Sequence, residues 1–125
     1  MKVELVKTVV FEAAHRLPNL PPGHKCGRLH GHSYRVDLHV EGVLSEQTGW
    51  VMDYADVGRA FAPLMEVLDH SFLNEIDGLS IPTSENVARW IWDRLVDALP
   101  GLSQVVVHET STARCVYRGV GRERG

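Results

Sequence analysis

The residues best suited to chemistry lie in Cys26-Gly27-Arg28-Leu29-His30-Gly31-His32, where a thiol stands four positions before the first of two histidines that are themselves two apart. Side chains of an extended chain alternate between faces, so His30 and His32 share one face about 7 Å apart along the strand, close enough to grip one metal ion. A third imidazole, His15, closes the run Phe11-Glu12-Ala13-Ala14-His15 on the same odd-numbered face as Val3, Leu5, Val9, Phe11 and Ala13. Three neutral imidazoles with an open fourth position form the ligand set of a catalytic zinc, a Lewis acid toward water or substrate. If Cys26 supplied the fourth bond, the same residues would make a closed structural site instead. Spacing alone leaves both readings open, beside a plain pair of packed or solvated histidines.

Elements must carry these groups. Residues 2–15 alternate as a half-buried strand, broken only by Lys7. Leu17 to Lys25 holds three prolines and a glycine, which cannot continue a central ladder, so this stretch is a long loop delivering Cys26. From His30 the alternation resumes, with His32, Tyr34, Val36, Leu38 and Val40 inward. Ser33, Arg35, Asp37, His39 and Glu41 fall on the other face, so His39 reads as a solvated residue beside Asp37. Asp53 is a good N-cap for a helix over 54–68 with the stripe Val57, Phe61, Leu64, Met65 and Leu68, which Pro63 is expected to kink or reset. That helix ends at Asp69-His70. A second helix runs from 83 or 84 to about 99, with the stripe Val87, Ile91, Leu95 and Ala98, and stops at Pro100-Gly101. Two strands follow, over 104–110 and 114–119. On the first of them Glu109 interrupts the apolar row of Val105 and Val107.

The order strand, strand, helix, helix, strand, strand predicts an α+β domain over 1–120, a four-stranded antiparallel sheet with two helices on one face. Residues 121–125 have nothing to bury and read as a loose tail. A small sheet of this kind has two unpaired edges, so assembly through them is expected. The 125 residues, 44% hydrophobic and 23% charged, fit one globular domain, and the apolar runs are too short to span a bilayer. The N-terminus reads as a strand rather than a signal peptide. Two cysteines, Cys26 and Cys115, suit free thiols in a reducing cytoplasm, with Cys115 a small strand residue. A net charge of −3 argues against a nucleic-acid surface.

FEAAHRL, CGRLHGHSYRV, LDHSFLN, PTSENVARWIWD and VHETSTARCVYRG occur here in the order seen in the 6-pyruvoyl-tetrahydropterin synthase family, which the chain resembles over nearly its whole length. Three residues between the cysteine and HGH resemble the 6-carboxy-tetrahydropterin synthases of queuosine biosynthesis; the pyruvoyl-forming enzymes have a longer insertion. The resemblance implies a T-fold, whose sheets join edge to edge into a trimeric barrel and stack as a hexamer. It also implies conversion of 7,8-dihydroneopterin triphosphate to 6-carboxy-5,6,7,8-tetrahydropterin, acetaldehyde and triphosphate. Carried over, His15, His30 and His32 resemble the Zn2+ ligands, Cys26 the catalytic base, Asp69 and His70 its partners, and Glu109 the carboxylate that anchors the pterin.

These roles are chemically coherent. An ordinary thiol ionises near pH 8.5, so a thiol base working at neutral pH gains from a nearby cation, for which zinc and His70 are candidates. Asp69 would hold the His70 imidazole in one tautomer and stabilise its charged form. A pterin edge offers an exocyclic amine and a ring N–H, two donors matched to the two oxygens of Glu109. For the triphosphate the loop offers Arg16, His24, Lys25 and Arg28, as a count of charges rather than a motif. Three readings follow: the carboxypterin-forming lyase, a sister enzyme making the pyruvoyl pterin or cleaving a related side chain, and a non-catalytic zinc protein closed by Cys26.

Overall fold

The computed structural model describes residues 1–119, so the expected tail at 121–125 and the last residue of the expected domain lie outside the described residues. Two long strands, β1 (Lys2–His15) and β2 (His30–Val43), pair antiparallel along their whole length, with His15 opposite His30 and Ala13 opposite His32. Helix α1 (Tyr54–Leu68) follows, then a two-residue strand β3 (Ser71–Phe72), helix α2 (Ser84–Leu95), β4 (Leu102–His108) and β5 (Arg114–Tyr117). The sheet order is β3-β1-β2-β4-β5.

Alternation places Phe11, Tyr34, Val36, Leu38, Val105 and Val107 on one side of the sheet, where both helices pack. All six are essentially inaccessible to solvent and belong to one core with Val57, Phe61, Leu68, Val87, Ile91 and Leu95. Phe11 and Tyr34 stack across the β1–β2 pair with ring centroids 5.0 Å apart. Lys7, the break in the apolar row, is accommodated because its aliphatic stem approaches Gly58, where no side chain competes. Both expected caps form: the Asp53 carboxylate accepts from the Ala55 N–H at 2.9 Å and the Thr83 hydroxyl from the Asn86 N–H at 3.2 Å.

Four expectations need correction. The sheet has five strands and is mixed, because β3 runs parallel to Ala13 and Ala14 along the outer edge of β1; two residues are too few to show any alternation. Pro63 does not reset helix α1, which continues through it; the proline sits on the exposed side, where water can satisfy the carbonyl that loses its partner. Regular helix in α2 ends at Leu95, although one more turn, closed by Leu99 N–H to Leu95 O at 2.9 Å, carries Leu99 into the core. Strand β4 spans 102–108 rather than 104–110. Leu102 pairs with Val40 past an irregularity at His39/Val40, while the N–H groups of Glu109 and Thr110 turn back to the Ala113 carbonyl.

The face opposite the helices is not merely solvated. Asp37 is 8% exposed and accepts hydrogen bonds from Thr8 at 2.7 Å, from Arg35 at 3.3 Å and from His108 at 2.8 Å. Burial alone would raise its carboxyl, yet these donors hold it down at about 2. His39 is bonded to Glu4 and lies 3.3 Å from the Gln104 amide, so it too is partnered rather than free in water.

Candidate metal centre and active site

Register brings the three imidazoles together. His15 and His30 face each other across the antiparallel pair and His32 is the diagonal neighbour of His15, so all three project from one end of the β1–β2 ladder on the inner face. Their ligating nitrogens lie within 4.8 Å of one another, and the rings meet edge to face with centroids 4.5 to 5.1 Å apart. His15 is fully buried and His30 and His32 are half-buried.

The hydrogen bonds fix which nitrogens carry protons. His15 Nδ1 donates to the Pro82 carbonyl at 2.9 Å and His30 Nδ1 donates to the Arg28 carbonyl at 2.7 Å; a carbonyl can only accept. In the neutral rings both Nε2 atoms therefore present lone pairs, and these two atoms stand 2.9 Å apart with no proton to share. His32 Nε2 is buried with no hydrogen-bond partner. Two facing lone pairs repel one another, and with His32 Nε2 buried and unpartnered beside them a cation held by the three rings would relieve both problems, so the donor set fits a divalent metal and suits zinc. Burial, the largest influence on His15, lowers its pKa and favours the neutral form that ligates.

Cys26 and Glu109 share the pocket. A cavity of about 390 Å3 is lined by His15, Leu17, Lys25, Cys26, His30, His32 and Glu109. The Glu109 carboxylate stands 3.7 Å from His15 Nε2 and remains partly open to solvent. Cys26 sits in a single 3-10 turn, Lys25–Gly27, which is capped by His24 Nδ1 accepting from the Cys26 N–H at 3.1 Å. Among the described residues its sulfur is not one of the atoms that close within 4.8 Å as a ligand set; only the three histidines are.

Asp69 and His70 lie elsewhere. His70 lines a second depression with Glu12, Ser33 and Ser71, which touches the three-histidine pocket only through His32. The pair is formed, with His70 Nδ1 3.0 Å from Asp69 Oδ2, and His70 is largely exposed. Its backbone is left-handed, at φ +56, a costly conformation for a residue with a Cβ. The turn is held by Glu12, whose carbonyl accepts from the His70 N–H at 2.6 Å and whose N–H donates to Asp69 Oδ1 at 2.9 Å. The Glu12 N–H, then His70, keep the Asp69 carboxyl ionised below its ordinary range.

Sequence reasoning missed the groups that orient the imidazoles. Pro82 presents its carbonyl from a turn tied by Thr83 N–H to Ile81 O at 3.0 Å and Asn86 Nδ2 to Ile81 O at 2.8 Å. Asn74 clamps the end of β1, accepting from the Arg16 N–H at 2.9 Å and donating to the Arg16 carbonyl at 2.7 Å. Backbone carbonyls leave no mark in a sequence, and nothing local marks Asn74 as a clamp.

The α+β sheet brings three histidines that could hold a metal ion, a thiol and a carboxylate to one cavity, an arrangement suited to an enzyme. Residues 4–120 match the 6-pyruvoyl tetrahydropterin synthase family, and the chain belongs to that family. It is 42% identical over 119 residues to a 6-carboxy-5,6,7,8-tetrahydropterin synthase of Synechocystis sp., covering 90% of this chain and 91% of the relative. It is 34% identical over 138 residues to the 6-pyruvoyl tetrahydrobiopterin synthase of Homo sapiens, covering 94% and 92%. The 6-pyruvoyl tetrahydropterin synthase structure of Caenorhabditis elegans superposes with a TM-score of 0.88 at 26% identity, over 96% of this chain and 97% of that one.

Proposed function

We propose that the protein is a zinc-dependent 6-carboxy-5,6,7,8-tetrahydropterin synthase that converts 7,8-dihydroneopterin triphosphate and water to the carboxypterin, acetaldehyde and triphosphate. The observation that carries this reading is one cavity holding three converging imidazoles, a thiol outside their ligand set and a carboxylate. A zinc ion held by His15, His30 and His32 supplies Lewis-acid polarisation of the substrate side chain. Cys26 accepts a proton from that side chain as general base, and Glu109 orients the pterin by accepting from its amine and ring N–H. The three-residue gap before HGH and the resemblance to the Synechocystis enzyme favour the carboxy product and a place in queuosine biosynthesis. The unpaired thiols Cys26 and Cys115 suit a reducing cytoplasm. Incubating the zinc-loaded protein with dihydroneopterin triphosphate should release acetaldehyde and leave a carboxypterin. Recovery of the pyruvoyl pterin as main product, the outcome that the human relative makes the second reading, would refute the choice of product.

Asp69 and His70 complete this site by serving the pocket of a neighbouring copy. One chain keeps them out of its own metal pocket, and His70 is exposed where a second chain can reach it. Open sheet surface supports assembly. Among the described residues no strand pairs with the outer edge of β1 before Ala13, and Val6, Val10 and Val116 stand exposed on the face away from the helices. Sedimentation at micromolar concentration should show a trimer or hexamer. A species near 14 kDa alone would remove both the assembly and the shared dyad.

A further inference from the structure

We propose that His108 and Asp37, a pair on the sheet face away from the helices, are positioning residues that latch the end of β4 and so aim Glu109. His108 is the last residue of β4, and its Nε2–H donates to Asp37 Oδ2 at 2.8 Å. The two side chains are only 12% and 11% exposed, so water competes little for this bond. The same carboxylate is held from two other sides. Thr8 of β1 donates to Oδ1 at 2.7 Å, and Arg35 of β2 donates to both oxygens at 3.3 Å. Three strands thereby converge on one charge that the proposed chemistry does not use. A buried carboxylate with this many donors is a fixed point, because moving any of them away uncovers an unpaired charge.

What this point fixes is the end of a strand. β4 pairs with β2 as far as His108, opposite Arg35, and the next residue, Glu109, leaves the ladder to give its N–H to the Ala113 carbonyl at 3.1 Å. On the other side of β4 lies β5, whose Arg114 pairs with His108 and which is itself the outermost strand of the described sheet. Asp37, on the inner strand β2, is the firmer support. Successive side chains of a strand point to opposite faces, so holding the His108 ring on the face away from the helices turns Glu109 toward the other. There its carboxylate stands 3.7 Å from His15 Nε2, in the pocket that Cys26, His30 and His32 also line. Beyond His108 the chain turns through Thr110 and Ser111, which border a cavity of about 350 Å3 with Ser33, Arg35 and His108, so packing does little to hold the turn from that side. That Glu109 grips a pterin rests on the proposed function.

The test uses the zinc-loaded protein and pterin itself, which carries the amine and the ring N–H but no side chain to reach the metal. Affinity is followed by fluorescence titration, and amide hydrogen exchange is read at Glu109 and, in mid-strand, at Val105. His108→Phe keeps a flat ring but loses the N–H. Pterin should then bind about tenfold more weakly, the usual cost of one hydrogen bond to a charged group, with zinc content unchanged. The Glu109 amide should exchange faster and that of Val105 as before. In turnover KM should rise about tenfold with kcat nearly unchanged, since Glu109 holds the ring rather than the reacting side chain. His108→Gln, whose amide can donate to Asp37, should restore most of the loss. His39→Phe breaks the other imidazole–carboxylate pair of that face, with Glu4, and should change none of these readings. Where His108→Phe does not fold, Asp37→Asn, which keeps the shape of the acceptor without its charge, should show the same losses in smaller measure. Wild-type pterin affinity and Glu109 exchange in His108→Phe would overturn the latch, as would equal losses in His39→Phe or no rescue by His108→Gln. If Glu109→Ala binds pterin like wild type, the anchor role of Glu109 falls and exchange at its amide alone decides the latch. If Glu109→Ala loses pterin while His108→Phe binds it and exchanges like wild type, the latch alone falls.

Discussion

Cys26→Ala is expected to lower aldehyde release from dihydroneopterin triphosphate by about 10²- to 10⁴-fold, or roughly 3 to 5 kcal/mol of barrier, the usual worth of a positioned general base. Zinc content and fold should not change. The thiol lies outside the set of atoms that converge as metal ligands, and Cys26 is only partly buried in a loop turn whose bonds are made by its backbone rather than its sulfur. The variant therefore separates the two roles open to this cysteine. Activity within tenfold of wild type would end the proposal that it is the base. Loss of zinc together with unfolding would show a closed site in which the thiolate is a fourth ligand.

His30→Ala should abolish stable zinc binding, taking the metal content from about one per chain to a trace after dialysis. The affinity loss should exceed the 10- to 100-fold typical of removing an outer-shell partner, because a direct ligand is lost. His32→Ala should behave likewise. Both residues are half-buried at the edge of the core formed by Phe11, Tyr34 and the helices, so circular dichroism of the variants should match wild type. His39→Ala provides the contrast: that ring belongs to the other face of the sheet, bonded to Glu4, and its loss should leave zinc in place. Full zinc retention by both His30→Ala and His32→Ala in a metal assay would dismiss the three-histidine centre.

Much of this site is legible because its signals are local. Alternation along 2–15 and from His30 onward puts His15, His30 and His32 on the apolar face without reference to any other part of the chain, since successive side chains of a strand must point to opposite sides. Asp53 and Thr83 mark helix starts for an equally local reason: their side chains accept from N–H groups two or three residues on. The count of cations in residues 16–29 needs only the sequence.

Tertiary structure decided what depends on distant partners. Pairing of His15 with His30 turns three same-face histidines into a cluster with two Nε2 atoms 2.9 Å apart, and the carbonyls of Pro82 and Arg28 choose the tautomers that point lone pairs inward. Pro82 is 67 residues from His15, and a carbonyl is common to every residue type, so no pattern could announce it. The same holds for Asp37, which alternation assigns to solvent. It is buried because Thr8, Arg35 and His108, from three strands, converge on its carboxylate and compensate its charge. Asp69 and His70 are adjacent in sequence and form their pair locally, yet only the path of β3 along the edge of β1 shows that they stand apart from the pocket of their own chain.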